Sequence, residues 1–289
     1  MFEKIYSPVQ KITFAPFNNL FVKRDDLIDS YISGNKWRKL KYILAKAGAE
    51  NKTHLVTFGG AYSNHLVATA AAASRSGLKS TAFVRGEEVK NEMLLLCRLF
   101  GMKLIFVDRE SYRDKHKLFK QHFTDDKQAC FIDEGGASPE ATIGCTEIIG
   151  ELIEPYDHIF CAAGTGTTAA GLLKGIQQHQ LNTKLHIIPV LKGGSFIEDE
   201  IVQYTPLTNH LHLHLDYHFG GYAKTTPELI NFIKTFTAQT GLLLDPVYTA
   251  KMFYAIVDLQ KLGTIGKDEK VLAVHTGGLM GLFGMKDKF

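Results

Sequence analysis

The stretch HIFCAAGTGTTAAGLLKGIQQH, residues 158–179, joins an apolar run to a glycine-rich turn and a helical segment. The run HIFCAA (158–163) is typical of a strand buried on both faces of a parallel sheet. The segment TTAAGLLKGIQQH (167–179) has the apolar spacing of a helix. The same order of strand, loop and helix recurs along the chain. We therefore predict an α/β protein with mostly parallel, twisted sheets.

The recurring pattern extends in both directions from this stretch. Further predicted strands are HLVTF (54–58), STAFVRG (80–86), KLIFV (103–107), ACFID (129–133), KLHIIPV (184–190) and VLAVHT (271–276). Further predicted helices are WRKLKYILAKA (37–47), SNHLVATAAAASRSG (63–77), NEMLLLCRLFG (91–101), PEATIGCTEIIGELIE (139–154), PELINFIKTFTAQTG (227–241) and YTAKMFYAIVDLQKLG (248–263). They form one block near 45–155 and another from 156 onward, which predicts two lobes.

The composition excludes several classes of function. The chain has 289 residues with 33 basic and 30 acidic side chains, a balance without the clustered positive charge of a nucleic-acid-binding protein. The start MFEKIYSPVQ has no apolar core of a secretory signal. Arg98 and Lys103 interrupt the apolar stretch at 93–107, so no membrane span is predicted. The four cysteines form no CxxC pair, which favours a reducing cytoplasm and argues against a zinc site.

Four glycine-rich loops follow predicted strands, and the strongest is AAGTGTTAAG. Ligands of open α/β sheets bind at the carboxyl ends of strands, where these loops lie. Gly164 and Gly166 permit close backbone approach, and Thr165, Thr167 and Thr168 place hydroxyls at a helix N-terminus, which favours phosphate. The spacing fits neither a P-loop nor a dinucleotide fingerprint, so a phosphate monoester is expected. The alternative is a plain tight turn. The other three loops are FGGAYSN (58–64), EGGASPEA (134–141) and HTGGLMGLFG (275–284).

Two further loops carry polar side chains at helix starts. In FGGAYSNH, Ser63 or Asn64 either caps the next helix or binds a carboxylate or phenolate oxygen of a ligand. In DPVYTAKMF, Tyr248 and Thr249 follow Pro246 at a helix start, with Asp245 as a candidate cap. For this second loop, capping plus core packing is the alternative.

Two charged or histidine-rich segments have competing interpretations. In SGNKWRKLKY (33–42), Lys36 stands near a helix N-terminus, which the helix dipole makes unusual for a cation. The ordinary interpretation is a solvated basic face, since more lysines and an arginine follow. In NHLHLHLDYH (209–218), His210, His212 and His214 share one face of a strand. Either they bind zinc, or they form the polar face of a half-buried strand, and the missing second ligand cluster favours the strand.

Five of these motifs occur in an order that resembles a known family. They are Lys36 in SGNKWRKLKY, Asn64 in GGAYSNH, the AAGTGTTAAG loop, LLLDPVYTAK and HTGGLMGLFG. Together they resemble the pyridoxal-phosphate (PLP) enzymes of the 1-aminocyclopropane-1-carboxylate (ACC) deaminase/D-cysteine desulfhydrase family, over about residues 7–284. The resemblance implies the tryptophan synthase β-like fold, with two three-layer lobes. It implies a large PLP-binding domain of 1–45 plus 156–289, a small domain of 46–155, and an active site in the cleft between them.

The resemblance also implies roles for the cofactor-binding residues. Lys36 would hold the cofactor covalently, and desolvation and nearby cations would make its amine more nucleophilic. Lys39, on the same helix face, would lie near the phosphate, which Gly164, Thr165, Gly166, Thr167 and Thr168 would bind. Asn64 would hydrogen-bond the pyridine 3-oxygen. Thr249 would face the pyridine nitrogen, with Thr276 beside it. No metal is implied.

The substrate-binding residues follow in the same way. Ser63, Asn64 and His65 would receive the substrate carboxylate. Tyr222 and Tyr248 match the two active-site tyrosines of the family and are candidates for handling the leaving group. A homodimer in the cytoplasm, acting on a small amino acid, is expected.

Two residues indicate which reaction of the family to expect. ACC deaminases of the family carry Glu and Leu where this chain has Thr249 and Thr276, and the D-cysteine desulfhydrase branch resembles this chain. A neutral hydroxyl near the ring gives a weaker electron sink, which suits β-elimination with a good leaving group. We therefore expect conversion of D-cysteine to pyruvate, sulfide and ammonia. ACC deamination to 2-oxobutyrate and PLP binding without turnover are the alternatives. Leu66, Val67 and Ala68 replace the usual variable residue, Arg and Gln after Ser-Asn-His, so the substrate preference stays open.

Overall fold

The computed structural model describes residues 5–289, which contain two separate β-sheets with helices packed around them. The strands are β1 (Val9–Phe14), β2 (Phe17–Lys23), β3 (His54–Gly60), β4 (Lys79–Arg85), β5 (Lys103–Val107), β6 (Ala129–Ile132), β7 (His158–Ala163), β8 (Lys184–Pro189), β9 (Leu211–Leu213) and β10 (Val271–Val274). The α-helices are α1 (Asn35–Ala49), α2 (Asn64–Arg75), α3 (Glu92–Leu99), α4 (Lys115–Phe123), α5 (Pro139–Gly150), α6 (Thr167–Gln178), α7 (Phe196–Val202), α8 (Pro227–Thr240) and α9 (Thr249–Lys261).

The sheets are mostly parallel, as the sequence predicts. The larger sheet has the order β1-β2-β10-β7-β8-β9, and only the pair β1 and β2 is antiparallel. The smaller sheet, β5-β4-β3-β6, is parallel throughout. Strands β3, β7 and β10 are almost wholly buried, which explains their continuous apolar runs. The α/β class is confirmed.

The chain contributes to the larger sheet from both ends. Strands β1 and β2 form a hairpin, and β2 pairs in parallel with β10, the last strand. The sequence analysis did not predict this hairpin. In β1 only Ile12 and Phe14 are buried, so the apolar alternation is too short to identify a strand. Helix α4 was missed for a similar reason, because Leu118 is its one buried residue.

Two glycines allow the helices α1, α5 and α6 to pack closely against one another. At Gly144 of α5, an added Cβ would lie 1.9 Å from the Arg38 carbonyl oxygen of α1. At Gly171 of α6, it would lie 2.3 Å from the Cys145 Cβ. Only glycine allows these approaches, so the helices that carry Lys36, Thr142 and Thr168 pack at short range.

Buried charges hold α1 in place. Arg38 and Asp25 are fully buried and paired at 2.6 Å, and Glu151 accepts from Arg38 at 2.8 Å. Glu151 also pairs with Lys23 at 2.7 Å. The interpretation of 36–46 as a solvated basic face is therefore wrong for Arg38 and Lys39, which are buried. It also overlooks acidic partners, because Lys41 and Lys46 pair with glutamates of α5.

Histidines in and beside β9 contact His186 of the neighbouring strand β8. His186 of β8 accepts or donates hydrogen bonds at 2.8 Å to both His158 and His214, and its ring stacks on that of His212. His158 reaches Glu269 at 2.9 Å. Within residues 5–289 there is no group of three or more His, Cys, Asp or Glu side chains arranged to hold a metal ion.

Candidate active site

Lys36 lies where α1, the loop after β6 and the glycine loop after β7 meet. Its Nζ donates to the Gly135 carbonyl at 3.4 Å, and Lys39 donates to the same carbonyl at 3.1 Å. Burial and the charge of Lys39 lower the pKa of Lys36 well below that of an ordinary lysine. Two lysine amines around one carbonyl, with no carboxylate of the described residues hydrogen-bonded to either, favour an anionic ligand and a nucleophilic amine at Lys36.

The glycine–threonine loop stands opposite these lysines. Gly166 has φ of 72° and precedes the first residue of α6, Thr167. The Thr165 hydroxyl lies 3.3 Å from that of Thr167, and Asn35 donates to the Thr168 hydroxyl at 2.9 Å. Backbone amides and hydroxyls at a helix N-terminus suit a phosphate group. Sequence reasoning missed Asn35, although its place directly before Lys36 at the helix start was a usable signal.

The loop after β3 presents Ser63 and Asn64. Ser63 is the N-cap residue of α2, yet its side chain makes no capping hydrogen bond. The interpretation of Ser63 as a cap alone is therefore wrong, and its partly buried hydroxyl is available to a ligand. Asn64 donates to the Gly278 carbonyl at 3.3 Å, which brings the HTGG loop beside it. A Cβ at Gly278 would lie 2.8 Å from the Asn64 amide nitrogen, so glycine permits this approach.

His65 faces the interior of the small sheet. Its Nε2 lies 2.7 Å from the Thr57 hydroxyl, which itself donates to the Ile132 carbonyl at 3.0 Å. The Thr57 hydroxyl must then accept from Nε2–H, which leaves Nδ1 as an unprotonated acceptor without a partner among the described residues. Burial lowers the pKa of His65 well below its usual range, and Lys36 and Lys39 lower it further. His65 is neutral, so a carboxylate would meet its backbone amide rather than an imidazolium.

Two tyrosines close the site beside Gly164. The Tyr248 hydroxyl donates to the Tyr222 hydroxyl at 3.4 Å, and a Cβ at Gly164 would lie 3.2 Å from the Tyr248 ring. Burial raises the pKa of Tyr248 well above its usual value, and the neighbouring Tyr222 raises it further. Tyr248 is therefore a neutral phenol at pH 7, able to donate a proton.

Hydrogen bonds within the segment 245–249 fix the backbone at Tyr248. One oxygen of the buried Asp245 carboxyl accepts from the backbone amides of Val247 and Tyr248, at 3.0 and 2.6 Å. The predicted capping role of Asp245 is wrong, because both amides precede α9 and the N-cap residue is Tyr248, without a side-chain cap. Burial raises the pKa of Asp245 to about 7. Its second oxygen has no partner within the described range.

The two threonines of interest differ in their hydrogen bonding. The Thr249 hydroxyl accepts from the Asp245 amide at 2.8 Å and is fully buried. The Thr276 side chain is 8% exposed, and no hydrogen bond joins its hydroxyl to another described residue. The Thr249 hydroxyl thus already has a backbone partner, and its expected place opposite a ring nitrogen stays a prediction.

Gly34 fixes the start of α1 against the HTGG loop, and we expect Gly34→Ala to displace Lys36. Gly34 has φ of 58°, and an added Cβ would lie 1.9 Å from the Thr276 carbonyl oxygen. Strain and overpacking should cost about 1–3 kcal/mol or more in the free energy of unfolding, together with weaker PLP binding. Gly48→Ala in the same helix is the control, because a Cβ there meets nothing within 4 Å. Equal urea midpoints and PLP affinities for the two variants would refute the close contact.

Taken together, the site fits pyridoxal phosphate by the chemistry of its groups. It offers a lysine amine with a lowered pKa, a helix N-terminus with hydroxyls for a phosphate, and an amide and a free hydroxyl for ring atoms. The loops that carry them lie at the carboxyl ends of β3, β6, β7 and β10. These features and the two sheets define a PLP-dependent enzyme with the tryptophan synthase β-like fold.

Comparison with known proteins identifies the family. Residues 7–277 match the family described as pyridoxal-phosphate dependent enzyme. A protein of Pyrococcus furiosus, provisionally named 1-aminocyclopropane-1-carboxylate deaminase, is 33% identical over 93% of this chain and 88% of its own length. The bifunctional D-cysteine desulfhydrase/1-aminocyclopropane-1-carboxylate deaminase of Arabidopsis thaliana is 30% identical over 93% of this chain and 74% of its own.

A solved structure agrees with the sequence relatives. The crystal structure of an ACC deaminase homologue has a TM-score of 0.85 and 30% identity, covering 98% of this chain and 92% of its own. The chain belongs to the ACC deaminase/D-cysteine desulfhydrase family of PLP-dependent lyases. No helix within residues 5–289 is long and apolar enough to cross a membrane.

Proposed function

We propose that this enzyme catalyses α,β-elimination on a small amino acid, with D-cysteine as the substrate and pyruvate, sulfide and ammonia as the products. The observation that carries the proposal is the pair of neutral residues Thr249 and Thr276. A buried carboxylate at position 249 would keep the pyridine nitrogen protonated, whereas a hydroxyl does so only weakly. The weaker sink suits a thiolate leaving group better than a cyclopropane carbon, which leaves poorly.

The side chains would divide the work of binding as follows. When bound, pyridoxal phosphate supplies an electron sink for a carbanion at the substrate Cα. The loop 164–168, with Lys39 nearby, would hold its phosphate, and Asn64 its phenolic oxygen. Ser63, Asn64 and the His65 amide would receive the substrate carboxylate at the N-terminus of α2, where free amides favour an anion.

Proton transfer would involve Lys36 and the two tyrosines. Lys36 has a lowered pKa, so its free amine can take the α-proton near neutral pH. Tyr248 keeps its proton because burial raises its pKa, so it can donate to the departing sulfur. Tyr222 accepts the hydrogen bond from Tyr248 and would orient it.

Removing the Tyr248 hydroxyl tests the leaving-group role. We expect Tyr248→Phe to lower kcat by on the order of 10²-fold or more, because the general acid is lost. Covalent attachment of PLP to Lys36 should persist. Tyr254→Phe, in the helix that follows Tyr248, is the control, since the Tyr254 hydroxyl hydrogen-bonds Glu228. Wild-type kcat in Tyr248→Phe would rule out the proton transfer from this phenol.

The substrate assignment has a direct test. Purified enzyme with PLP should release sulfide and pyruvate from D-cysteine, and not from L-cysteine. Formation of 2-oxobutyrate from ACC instead would favour the deaminase reaction and contradict the argument from Thr249 and Thr276. Bound PLP with no product from a panel of D- and L-amino acids would favour a binding protein without turnover. Val67 and Ala68, both buried, occupy the positions where the family usually has Arg and Gln, and so bear on the choice of substrates in the panel.

We also propose the wider organisation that the family resemblance implies. Residues 1–45 and 156–289 would form the large domain and 46–155 the small domain, with the substrate in the cleft between them. A cytoplasmic homodimer is supported by four free cysteines and by exposed apolar side chains on α3, where Leu95 and Leu99 are 54% and 73% exposed. Sedimentation at micromolar concentration would test the dimer, and a monomer mass would refute it.

A further inference from the structure

Lys251 is a buried cation surrounded by backbone oxygens. Lys251 lies in α9, and its side chain is fully buried. Its Nζ donates to the carbonyls of His218 and Gly221 at 2.8 Å each and to that of Val190 at 3.2 Å. Burial lowers the pKa of Lys251 to about 8, while the charge of Asp245 opposes that shift. The amine is therefore still largely protonated at pH 7, with one N–H for each carbonyl.

Two of these carbonyls belong to a strained loop. Phe219 and Ala223 have φ of 52° and 54°, and Gly220 and Gly221 between them also have positive φ. Non-glycine residues in this region cost energy and persist only where their surroundings fix them. Within the loop, His218 accepts hydrogen bonds from the backbone amides of Gly220 and Gly221. Lys251 holds the carbonyls at both ends of this turn.

The third carbonyl connects the loop to the cofactor side of the site. Val190 follows β8 directly, and its amide donates to the Ala163 carbonyl at 3.0 Å, next to Gly164. Tyr222 follows Gly221 in the loop and meets the Tyr248 hydroxyl at 3.4 Å. Lys251 therefore links the loop of one active-site tyrosine to the base of the glycine–threonine loop.

We propose that Lys251 is a positioning residue whose ammonium fills a backbone-carbonyl cation site and thereby fixes the Tyr222 loop, and that a small monovalent cation can take its place. Converging carbonyl oxygens are a set of ligands that proteins use for K⁺. In this protein the cation among the carbonyls is the Lys251 ammonium, which is covalently part of α9. The role of Tyr222 rests on the proposed function, whereas the cation site rests on the geometry alone.

The test compares Lys251→Met with wild type as PLP-bound proteins. Amide hydrogen exchange of the 218–224 peptide should rise about tenfold or more, because hydrogen bonds to a charged donor are lost. Ammonium or potassium chloride should restore slow exchange, and tetramethylammonium chloride at equal ionic strength should not, because that ion is too large for the site. Lys261→Met, at the exposed end of the same helix, is the control and should leave exchange unchanged.

Kinetics provide a second readout. With a turned-over substrate, kcat of Lys251→Met should fall and recover with ammonium or potassium, while PLP affinity stays near that of wild type. If wild type turns over no substrate, the proposed function fails, yet the exchange experiment still decides the cation site.

Two results would overturn the inference. One is unchanged exchange in Lys251→Met, and the other is fast exchange that no small cation reverses, which would make Lys251 a packing residue only. If Lys251→Met does not fold, Lys251→Gln keeps two N–H donors on a side chain that is one atom shorter. Its 218–224 peptide should exchange faster than wild type and slow again with potassium, and failure of either response would overturn the inference.

Discussion

Lys36→Ala should eliminate covalent attachment of pyridoxal phosphate and lower turnover by on the order of 10³-fold or more. Burial and the neighbouring Lys39 lower the pKa of Lys36, and the Lys36 Nζ lies 3.4 Å from the Gly135 carbonyl oxygen. In the proposed mechanism, alanine would remove both the amine that holds the cofactor and the base that takes the α-proton. The measurement is mass spectrometry of peptides after borohydride reduction, together with the visible absorbance of the unreduced protein.

Two matched variants separate Lys36 from its neighbours. Lys39→Ala should keep the adduct on Lys36 and weaken PLP binding, because Lys39 shares the Gly135 carbonyl and would lie near the phosphate. Lys41→Ala, whose amine pairs with Glu147 outside the site, should behave as wild type. An adduct on Lys39 in the wild-type protein would show that the assignment of the two lysines is reversed.

Arg38→Met should lower the free energy of unfolding by about 3–5 kcal/mol, the usual cost of removing one partner of a buried ion pair. Asp25 is fully buried and receives two hydrogen bonds from Arg38, at 2.6 and 2.7 Å. Methionine keeps most of the volume and leaves that carboxylate without its cation. Unfolding in urea, followed by circular dichroism, measures the loss.

The control for this prediction is an exposed pair on the same helix. Lys46 pairs with Glu140 at 2.7 Å, and its side chain is 54% exposed. Solvent screens such a pair, so Lys46→Met should change stability by less than about 1 kcal/mol. If Arg38→Met and Lys46→Met shift the urea midpoint equally, the buried network does not stabilise α1.

The extent to which the site was predictable depends on the type of feature. The glycine-rich loops were predictable because each follows an apolar strand, and parallel strands place their carboxyl ends together. Lys36 and Asn64 were predicted only from the family resemblance, since the residues around Lys36 alone are equally typical of a solvated face. The hydrogen bond from the Asp245 amide to the Thr249 hydroxyl was not predictable, because it forms only when the segment 245–249 adopts its folded conformation.

Lys251 illustrates a second limit. In YTAKMFYAIVDLQ, a lone lysine within an apolar helical run was a signal of burial, but nothing local names its partners. His218 and Gly221 lie 33 and 30 residues before it, and Val190 lies 61 residues before it. Such contacts exist only once separate loops have closed on the helix.

The sequence by itself determined the α/β class, the parallel strands and the places of the four glycine-rich loops, because apolar periodicity and glycine placement are local properties. The tertiary structure alone decided which charges are buried. Arg38 meets Glu151 across 113 residues, and Lys36 meets Gly135 across 99. The energy of a charge depends on the solvent and partners around it, and these are fixed only when distant segments pack together.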